Sequence, residues 1–149
     1  MARLRRGRRR GPVGGTLVLD ADGLTKLARG HPLAVALARG TYRTQASIVT
    51  SASTLAELLR GGPRDAPVHR ILADVTVVPV GPQEGRAAGE LLGQTGLSGH
   101  RCALDALLAV VALAQPRPVV LVTSDIDDMR RLTEEPGRPK AERIGVSRV

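Results

Sequence analysis

Short apolar runs separated by turn residues divide the chain into candidate β-strands. Consecutive branched or apolar residues bounded by Gly, Pro or Asp are typical of strands buried in a parallel sheet. A last segment near the carboxyl end has a weaker apolar pattern and is predicted to form a strand at the sheet edge. The predicted strands cover residues 17–19, 46–50, 75–80, 119–123 and 142–149.

Amphipathic stretches between these runs predict helices. Asp22 and Ser53 stand where helix-capping residues are expected, and Gly30 and Gly40 stand where helices are expected to end. Strands that alternate with helices imply a three-layer α/β/α sandwich around a mainly parallel sheet of about five strands. The predicted helices cover residues 22–29, 32–39, 54–60, 83–94, 101–114 and 127–133.

The positive charge of the chain is concentrated at its beginning. Among 149 residues, 22 are Lys or Arg and 14 are Asp or Glu, which gives a formal net charge of +8. Six arginines lie within the first ten residues, so the rest of the chain carries 16 basic and 14 acidic groups. We interpret residues 1–15 as a flexible Arg-rich extension, or as the product of a start codon placed too early. Residues 16–149 are predicted to form one domain.

The composition excludes several classes of protein. The chain has no Phe or Trp and only one aromatic residue, Tyr42, so an aromatic platform for stacking nucleic-acid bases is excluded. Cys102 is the one cysteine, which excludes a disulfide scaffold or a thiolate zinc site and predicts a reducing, cytoplasmic location. The longest apolar run, residues 102–114, is too short to cross a membrane and contains Asp105. No signal peptide is predicted.

Acidic residues stand at four positions where carboxylates are unusual. Asp20 and Asp125 follow predicted strands, and the carboxyl ends of parallel strands meet at one sheet edge, where such folds place their sites. Asp105 interrupts an apolar helix, where an unpaired charge is costly. Glu57 lies in another apolar helix that follows a strand. A single cluster of carboxylates accounts for all of these positions.

A carboxylate cluster predicts a bound cation. Neighbouring carboxylates repel one another unless a cation neutralises them, and hard oxygen ligands favour Mg²⁺ or Mn²⁺. Such metals activate water and stabilise in-line displacement at phosphorus. Local explanations stay open, because Asp105 stands four residues after Arg101 and Glu57 stands three residues before Arg60. Each acid could then be half of an ion pair on its own helix, or Glu57 could face solvent.

Four segments together resemble the PIN domain, the metal-dependent nuclease family that includes VapC-type toxins. The first is a strand that ends in an acid, and the second is a helix that carries a glutamate. The third is a helix with an acid among Ala and Leu, and the fourth contains the sequence Thr-Ser-Asp. They occur in the family's order and spacing over the chain from about residue 16 onwards. The segments are residues 17–24, 53–61, 99–109 and 121–129.

The resemblance implies a metal site and an activity. Asp128 is a further acid of the last motif, and Asp22 adds a carboxylate where the family commonly has Ser, Thr or Asn. The family is associated with cleavage of RNA by metal-activated water, with Mg²⁺ or Mn²⁺ as cofactor. The resemblance also implies a homodimer and an inhibitory antitoxin protein as partner. The residues at the catalytic and metal-binding positions are Asp20, Glu57, Asp105 and Asp125.

Other polar residues of these segments are candidates for substrate contacts. Thr123 and Ser124 are expected to orient Asp125 or to contact a phosphate, although hydroxyls after a strand are also common in turns. Basic side chains in the motifs would hold the flanking phosphates of RNA, with a solvated surface or local ion pairs as the alternative. These arginines are Arg101, Arg130 and Arg131.

Two other functions are weighed against the nuclease. Residues 20–23 also resemble the nucleophile motif of haloacid-dehalogenase-like phosphatases, with Asp20 attacking phosphate and Asp22 as acid and base. Leu24 stands where that family expects Thr or Val, and the chain leaves little room for the full fold. The other alternative is a catalytically inactive module that binds RNA or protein on the same scaffold. An intact set of acids argues against it.

Overall fold

The computed structural model describes residues 14–149. The predicted extension at residues 1–15 therefore lies outside the described residues apart from Gly14 and Gly15, and the Gly15 carbonyl oxygen accepts a hydrogen bond from Ser47 N at 3.1 Å. The described strands are β1 (Thr16–Leu19), β2 (Ser47–Ser51), β3 (Thr76–Val78), β4 (Val119–Val122) and β5 (Gly145–Ser147). The described helices are α1 (Ala21–Ala28), α2 (Pro32–Thr44), α3 (Ala52–Leu58), α4 (Ala66–Leu72), α5 (Pro82–Thr95), α6 (Gly99–Leu113) and α7 (Ile126–Leu132). Short 3₁₀ turns lie at Pro63–Asp65 and Lys140–Glu142.

The five described strands form one parallel sheet in the order β3-β2-β1-β4-β5. From β1 the chain builds outward through β2 and β3, and then α5 and α6 carry it back to the other side of β1. The strand order therefore reverses between β1 and β4, and Leu19 is in register with Val122. Open α/β sheets bind their ligands at the carboxyl edge beside such a reversal. The predicted α/β sandwich is confirmed, with β5 at an edge as expected.

Apolar side chains on the two faces of the sheet hold the helices in separate layers. Along β1, Leu17 and Leu19 pack with α1, α2 and α4, whereas Val18 packs with α5, α6 and α7. This alternation follows from the two-residue period of a strand buried on both faces. Among residues 14–149, no single helix is long and apolar enough to cross a membrane, and α5 and α6 meet that criterion only together, with a bend of 118° between them.

The predicted helix caps were wrong by two residues. Asp20, not Asp22, caps α1 by accepting a hydrogen bond from Gly23 N at 2.7 Å. Ser51, not Ser53, caps α3 through Thr54 N at 3.3 Å. Ser51 is the last residue of β2, and Asp20 is the single residue between β1 and α1, so the capping residue is the whole connection in both cases. The side chains of Asp20 and Ser51 are thereby fixed at the carboxyl edge of the sheet.

The predicted end of a helix at Gly40 was also wrong. α2 continues through this glycine and ends at Gln45, whose φ of 57° is left-handed. Thr41 in the additional turn is only 7% exposed, so its packing outweighs the low helix propensity of glycine. The edge strand is shorter than predicted, because residues 140–142 form a 3₁₀ turn before β5 begins.

Candidate active site

Asp20 is held directly after β1 by contacts from α1 and from the residues that follow β4. Its Oδ1 accepts from Gly23 N at 2.7 Å, and its Oδ2 accepts from Ser124 N at 3.2 Å. The hydroxyl group of Thr123 is a further hydrogen-bond partner. A Cβ atom at position 23 would lie 3.3 Å from Oδ1, so glycine leaves room for the carboxylate. Asp20 is only 8% exposed, and its orientation is fixed by the fold itself.

Thr123 links the ends of β1 and β4. Its backbone N–H donates to Ser147 O at 3.0 Å, and its Oγ1 accepts from Asp125 N at 3.0 Å. Its hydroxyl group also interacts with Asp20 and lowers the pKa of that carboxyl group. Thr123 is 2% exposed, so its hydroxyl orients the acids rather than reaching a phosphate, whereas Ser124 is exposed and lines the cleft described next.

Acids from two helices complete a cleft at this edge of the sheet. Glu57 lies on α3, which begins directly after β2, and Asp105 lies half-buried in α6. The cleft has a volume of about 280 Å³. The structure therefore brings together the four acids that the sequence singled out, with Asp22 beside them. The lining residues are Asp20, Ala21, Asp22, Glu57, Asp105, Ser124 and Asp125.

Crowding of negative charge changes the acidity of the cleft. Burial, together with the charges of Glu57 and Asp125, raises the pKa of Asp105 to about 6. Burial also raises the pKa of Asp20, and the hydrogen bonds from Gly23, Thr123 and Ser124 only partly offset this effect. Glu57 keeps more contact with solvent, yet loss of surrounding water, followed by the charge of Asp20, raises its pKa as well. These carboxylates interact as one cluster, in which the charge of each raises the pKa of others.

Local ion pairs do not account for Asp105 or Glu57. Arg60, the proposed partner of Glu57, instead donates its Nη1 to two backbone carbonyl oxygens at the end of α3. Arg101 forms no ion pair with Asp105 in the described residues. The ion pairs recorded in residues 14–149 are Asp22–Lys26, Arg117–Glu135 and Arg138–Glu135. The positions of Asp105 and Glu57 are therefore explained by the cleft that they share rather than by ion pairs on their own helices.

Comparisons of the fold with known structures find similar toxin–antitoxin complexes. A chain of VapBC2 from Rickettsia felis, crystallised with a fragment of its promoter DNA, is 20% identical with a TM-score of 0.64 and covers 90% of this chain and 98% of its own. A chain of VapBC-1 from nontypeable Haemophilus influenzae is 19% identical with a TM-score of 0.61, covering 89% and 97%. A chain of FitAB bound to the IR36 DNA fragment is 16% identical with a TM-score of 0.56, covering 89% and 94%.

The chain has a PIN-like fold. The likeness extends over nearly the whole of the matched chains, so it concerns the complete architecture rather than one motif. At these identities it establishes the fold, and the chemistry of the cleft has to be argued from the residues in it. The sequence matches no protein-family profile and no curated protein.

The remaining predicted residues of the PIN-like site lie around the cleft rather than in it. Asp128 accepts a hydrogen bond from Cys102 Sγ at 3.7 Å, and its charge contributes to the raised pKa of Asp105. Arg131 donates to Thr95 O at 2.6 Å at the end of α5. The structure does not bring the other two candidate arginines to the carboxylates. Arg101 is exposed near the start of α6, and Arg130 lines a separate cleft beside Glu134.

The chemistry of the cleft fits a hard divalent cation. Its donors are carboxylate oxygens and a hydroxyl group, which suit Mg²⁺ or Mn²⁺ and not softer metals. Their raised pKa values mark an uncompensated negative charge that a cation would relieve. Within residues 14–149, however, no three acidic, His or Cys side chains are gathered closely enough to form a ready metal site. Binding would therefore require the carboxylates of the cleft to draw together.

Two residues that the sequence did not single out stabilise the surroundings of the site. Asp65 Oδ2 accepts from Arg60 N at 2.8 Å and from Gly61 N at 2.7 Å, and these bonds lower the pKa of Asp65. These two hydrogen bonds hold in place the backbone directly after α3, the helix that carries Glu57. Lys26 pairs with Asp22, and the i,i+4 spacing of the two residues was the signal that could have identified it.

The capping role of Asp20 leads to a test of stability. We expect the free energy of unfolding of Asp20→Asn to be about 1 kcal/mol higher than that of Asp20→Ala. The reason is that asparagine keeps an oxygen that accepts from Gly23 N. Both variants remove the same negative charge, so the comparison isolates the cap. Urea unfolding at neutral pH measures the difference. Equal stability of the two variants would show that this hydrogen bond contributes nothing.

Proposed function

We propose that the protein is a metal-dependent endoribonuclease that hydrolyses RNA phosphodiester bonds with Mg²⁺ or Mn²⁺. The observation that supports this proposal is the meeting of the predicted acids in one cleft where the strand order reverses. A PIN-like fold around such a cleft is what the sequence resemblance implies. The proposed catalytic and metal-binding residues are Asp20, Glu57, Asp105 and Asp125, with Asp128 behind them.

The chain's own residues would hold the reacting groups in place. A divalent cation bound by these oxygens supplies an activated water molecule and neutralises charge at phosphorus. Asp20 is oriented before substrate arrives, because Gly23, Thr123 and Ser124 already bond its two oxygens. Asp125 is oriented through its backbone N–H, which donates to Thr123 Oγ1. Preorganisation of this kind lowers the reorganisation needed when substrate binds.

We also propose that the protein is the toxin of a cytoplasmic toxin–antitoxin pair and acts as a homodimer. The structural neighbours are named as VapBC and FitAB complexes, which supports a cognate antitoxin protein as partner. Neutralisation of the acidic cleft by such a partner would inhibit the enzyme. Light scattering of the purified chain measures the proposed dimer directly, and a monomer at micromolar concentration contradicts it.

Cleavage of a panel of structured RNAs tests the activity. We expect the purified protein to cut at least one RNA with Mg²⁺ or Mn²⁺ and to stop when EDTA is added, because the carboxylates need the cation to approach a phosphate. Glu57→Gln and Asp105→Asn are expected to remove the cleavage. Cleavage that survives EDTA or both substitutions would contradict the proposal.

The same panel separates the alternatives. Release of phosphate from small phosphomonoesters without RNA cleavage would favour the phosphatase, with Asp20 as nucleophile. RNA that is bound but never cut under any metal condition would favour the inactive binding module. Asp74→Asn is a suitable control, because Asp74 is exposed and precedes β3 at the opposite, amino edge of the sheet.

A further inference from the structure

An ion pair on α1 places a cation against the acidic cleft. Lys26 Nζ lies 2.9 Å from Asp22 Oδ2, one helical turn further along the same face of α1. Asp22 lines the cleft together with the four proposed catalytic acids. Of the ion pairs recorded in residues 14–149, this is the one that includes a carboxylate of the cleft. This ion pair places the positive charge of Lys26 beside one carboxylate of the cleft lining.

The ammonium group of Lys26 is held in position by a second contact. Besides the carboxylate of Asp22, it donates a hydrogen bond to a main-chain oxygen of Val149. A lysine ammonium has three donors, so two partners leave a third for a ligand. The side chain is 32% exposed, so part of it can be reached from solvent. A lysine with an anchored position and an open donor differs from a freely moving surface lysine.

We propose that Lys26 binds a backbone phosphate of the RNA next to the phosphate held at the carboxylates. This inference rests on the proposed function. The carboxylates alone repel an RNA strand, and among residues 14–149 no basic side chain lines the cleft. An ammonium at the edge of the cleft offsets this repulsion where the strand leaves the reacting position. Lys26 is a substrate-positioning residue in this proposal and takes no part in the chemical step.

The pairing with Asp22 explains how the cation is held without a substrate. A largely exposed i,i+4 ion pair contributes little stability, so an incoming phosphate can share or replace the carboxylate at little cost. Asp22 therefore keeps Lys26 at the cleft edge until a phosphate arrives.

Lys26→Gln tests the proposal by RNA binding. The probe is a fluorescein-labelled, single-stranded RNA pool of random sequence, with Ca²⁺ in place of Mg²⁺ and anisotropy as the readout. We expect binding about three- to tenfold weaker than wild type at low salt. The slope of log Kd against log salt concentration should become shallower by about 0.7, the value for one lost phosphate contact on a single strand. Lys26→Arg should retain wild-type affinity because it keeps the charge.

Lys140→Gln is the matched control. It removes the same charge from the only other lysine, in the 3₁₀ turn before β5, at the amino edge of the sheet and away from the cleft. If Lys26→Gln and Lys140→Gln weaken RNA binding equally, the loss is explained by the lower net charge alone, and the proposal is overturned. Melting temperatures of all variants identify any loss through unfolding. A binding defect in Lys26→Gln with an unchanged melting temperature supports a direct phosphate contact.

Steady-state cleavage of the fastest-cut RNA of the panel separates positioning from chemistry. We expect Lys26→Gln to raise KM with kcat nearly unchanged. A lower kcat with unchanged KM would mean that Lys26 acts through Asp22 on the catalytic acids, which overturns the proposal. If the wild type cleaves RNA and Lys26→Gln behaves like it, only this inference fails. If the wild type neither binds nor cleaves RNA, the proposed function fails together with it.

Discussion

Asp105→Asn is expected to stabilise the metal-free protein and to abolish its activity. Burial and neighbouring acids raise the pKa of Asp105 to about 6 from 3.8, which means that its ionised form is disfavoured in the fold. A shift of this size corresponds to about 3 kcal/mol if fully expressed, and partial solvent screening reduces it. We expect a gain of about 1–3 kcal/mol in the free energy of unfolding at pH 8 in EDTA, measured by urea denaturation.

The pH dependence of that gain follows from the direction of the shift. A carboxyl group with a raised pKa in the fold costs nothing while it is protonated in both states, at low pH. The cost develops as pH rises from the unfolded value near 3.8 to the folded value of about 6, and it is constant above. The stability difference between Asp105→Asn and wild type should therefore be small at low pH and should grow through this range. A difference that does not change with pH would contradict this origin.

The same substitution should reduce RNA cleavage by more than about a hundredfold. Changes in the groups that only support metal ligands already cost about ten- to a hundredfold, and Asp105 is itself a proposed ligand. Asp74→Asn serves as the control for both readouts, because it makes the same chemical change at an exposed acid outside the cleft. An active Asp105→Asn enzyme would remove Asp105 from the proposed site. Stability gained together with activity lost is the expected signature of a functional charge cluster.

The meeting of Asp20 and Asp125 could be predicted because it needs only local information. Each acid follows an apolar strand, and parallel strands end at the same edge. Which strands are neighbours depends on packing across the sheet, and the return of the chain from β3 to the far side of β1 has no local signal. The edge of the sheet at which the acids lie could therefore be predicted from the sequence. The distances among the acids could not, because they depend on how the strands and helices pack.

Errors in helix boundaries arose where one residue serves two elements. Asp20 is the one residue between β1 and α1 and caps the helix, so a pattern search that places a longer loop between elements moves the cap to Asp22. The missed helix α4 has a different cause. Its first turn contains Pro67, and Pro63 precedes it, so the segment has the composition of a loop. Proline is nevertheless compatible with the first turn of a helix, and the apolar residues that follow keep helical spacing.

The acids on helices show how far an unusual residue predicts function. An acid such as Asp105 among Ala and Leu indicated either a local ion pair or a shared site. Its spacing to Arg101 did not distinguish these two possibilities. Only the placement of α6 against β2 and α3 decides between them, because it puts Asp105 with other carboxylates and leaves Arg101 exposed. Lys26 is the reverse case. Its spacing to Asp22 was visible in the sequence, yet its closeness to the cleft depends on α1 beginning at Asp20.

Thr123→Val is expected to disable the site without touching any proposed metal ligand. The substitution keeps the shape of the side chain but removes the hydroxyl that accepts from Asp125 N and bonds Asp20. It leaves the part-buried backbone N–H of Asp125 without its acceptor, which costs about 0.5–1.5 kcal/mol of stability. Because the two acids lose their common support, we expect cleavage to fall by about ten- to a hundredfold.

Comparison with two other substitutions distinguishes support of the acids from general stability. Thr123→Ser retains the hydroxyl and should restore most of the cleavage. Thr50→Val removes an equally buried hydroxyl on β2, one that donates to Leu19 O at 2.8 Å and has no bond to a cleft acid. We expect it to lower stability but to leave the Mn²⁺ concentration for half-maximal cleavage unchanged. Thr123→Val should raise that concentration, because acids that are no longer oriented bind the cation less tightly. An unchanged Mn²⁺ requirement would mean that the hydroxyl of Thr123 stabilises the sheet edge and does not position the acids.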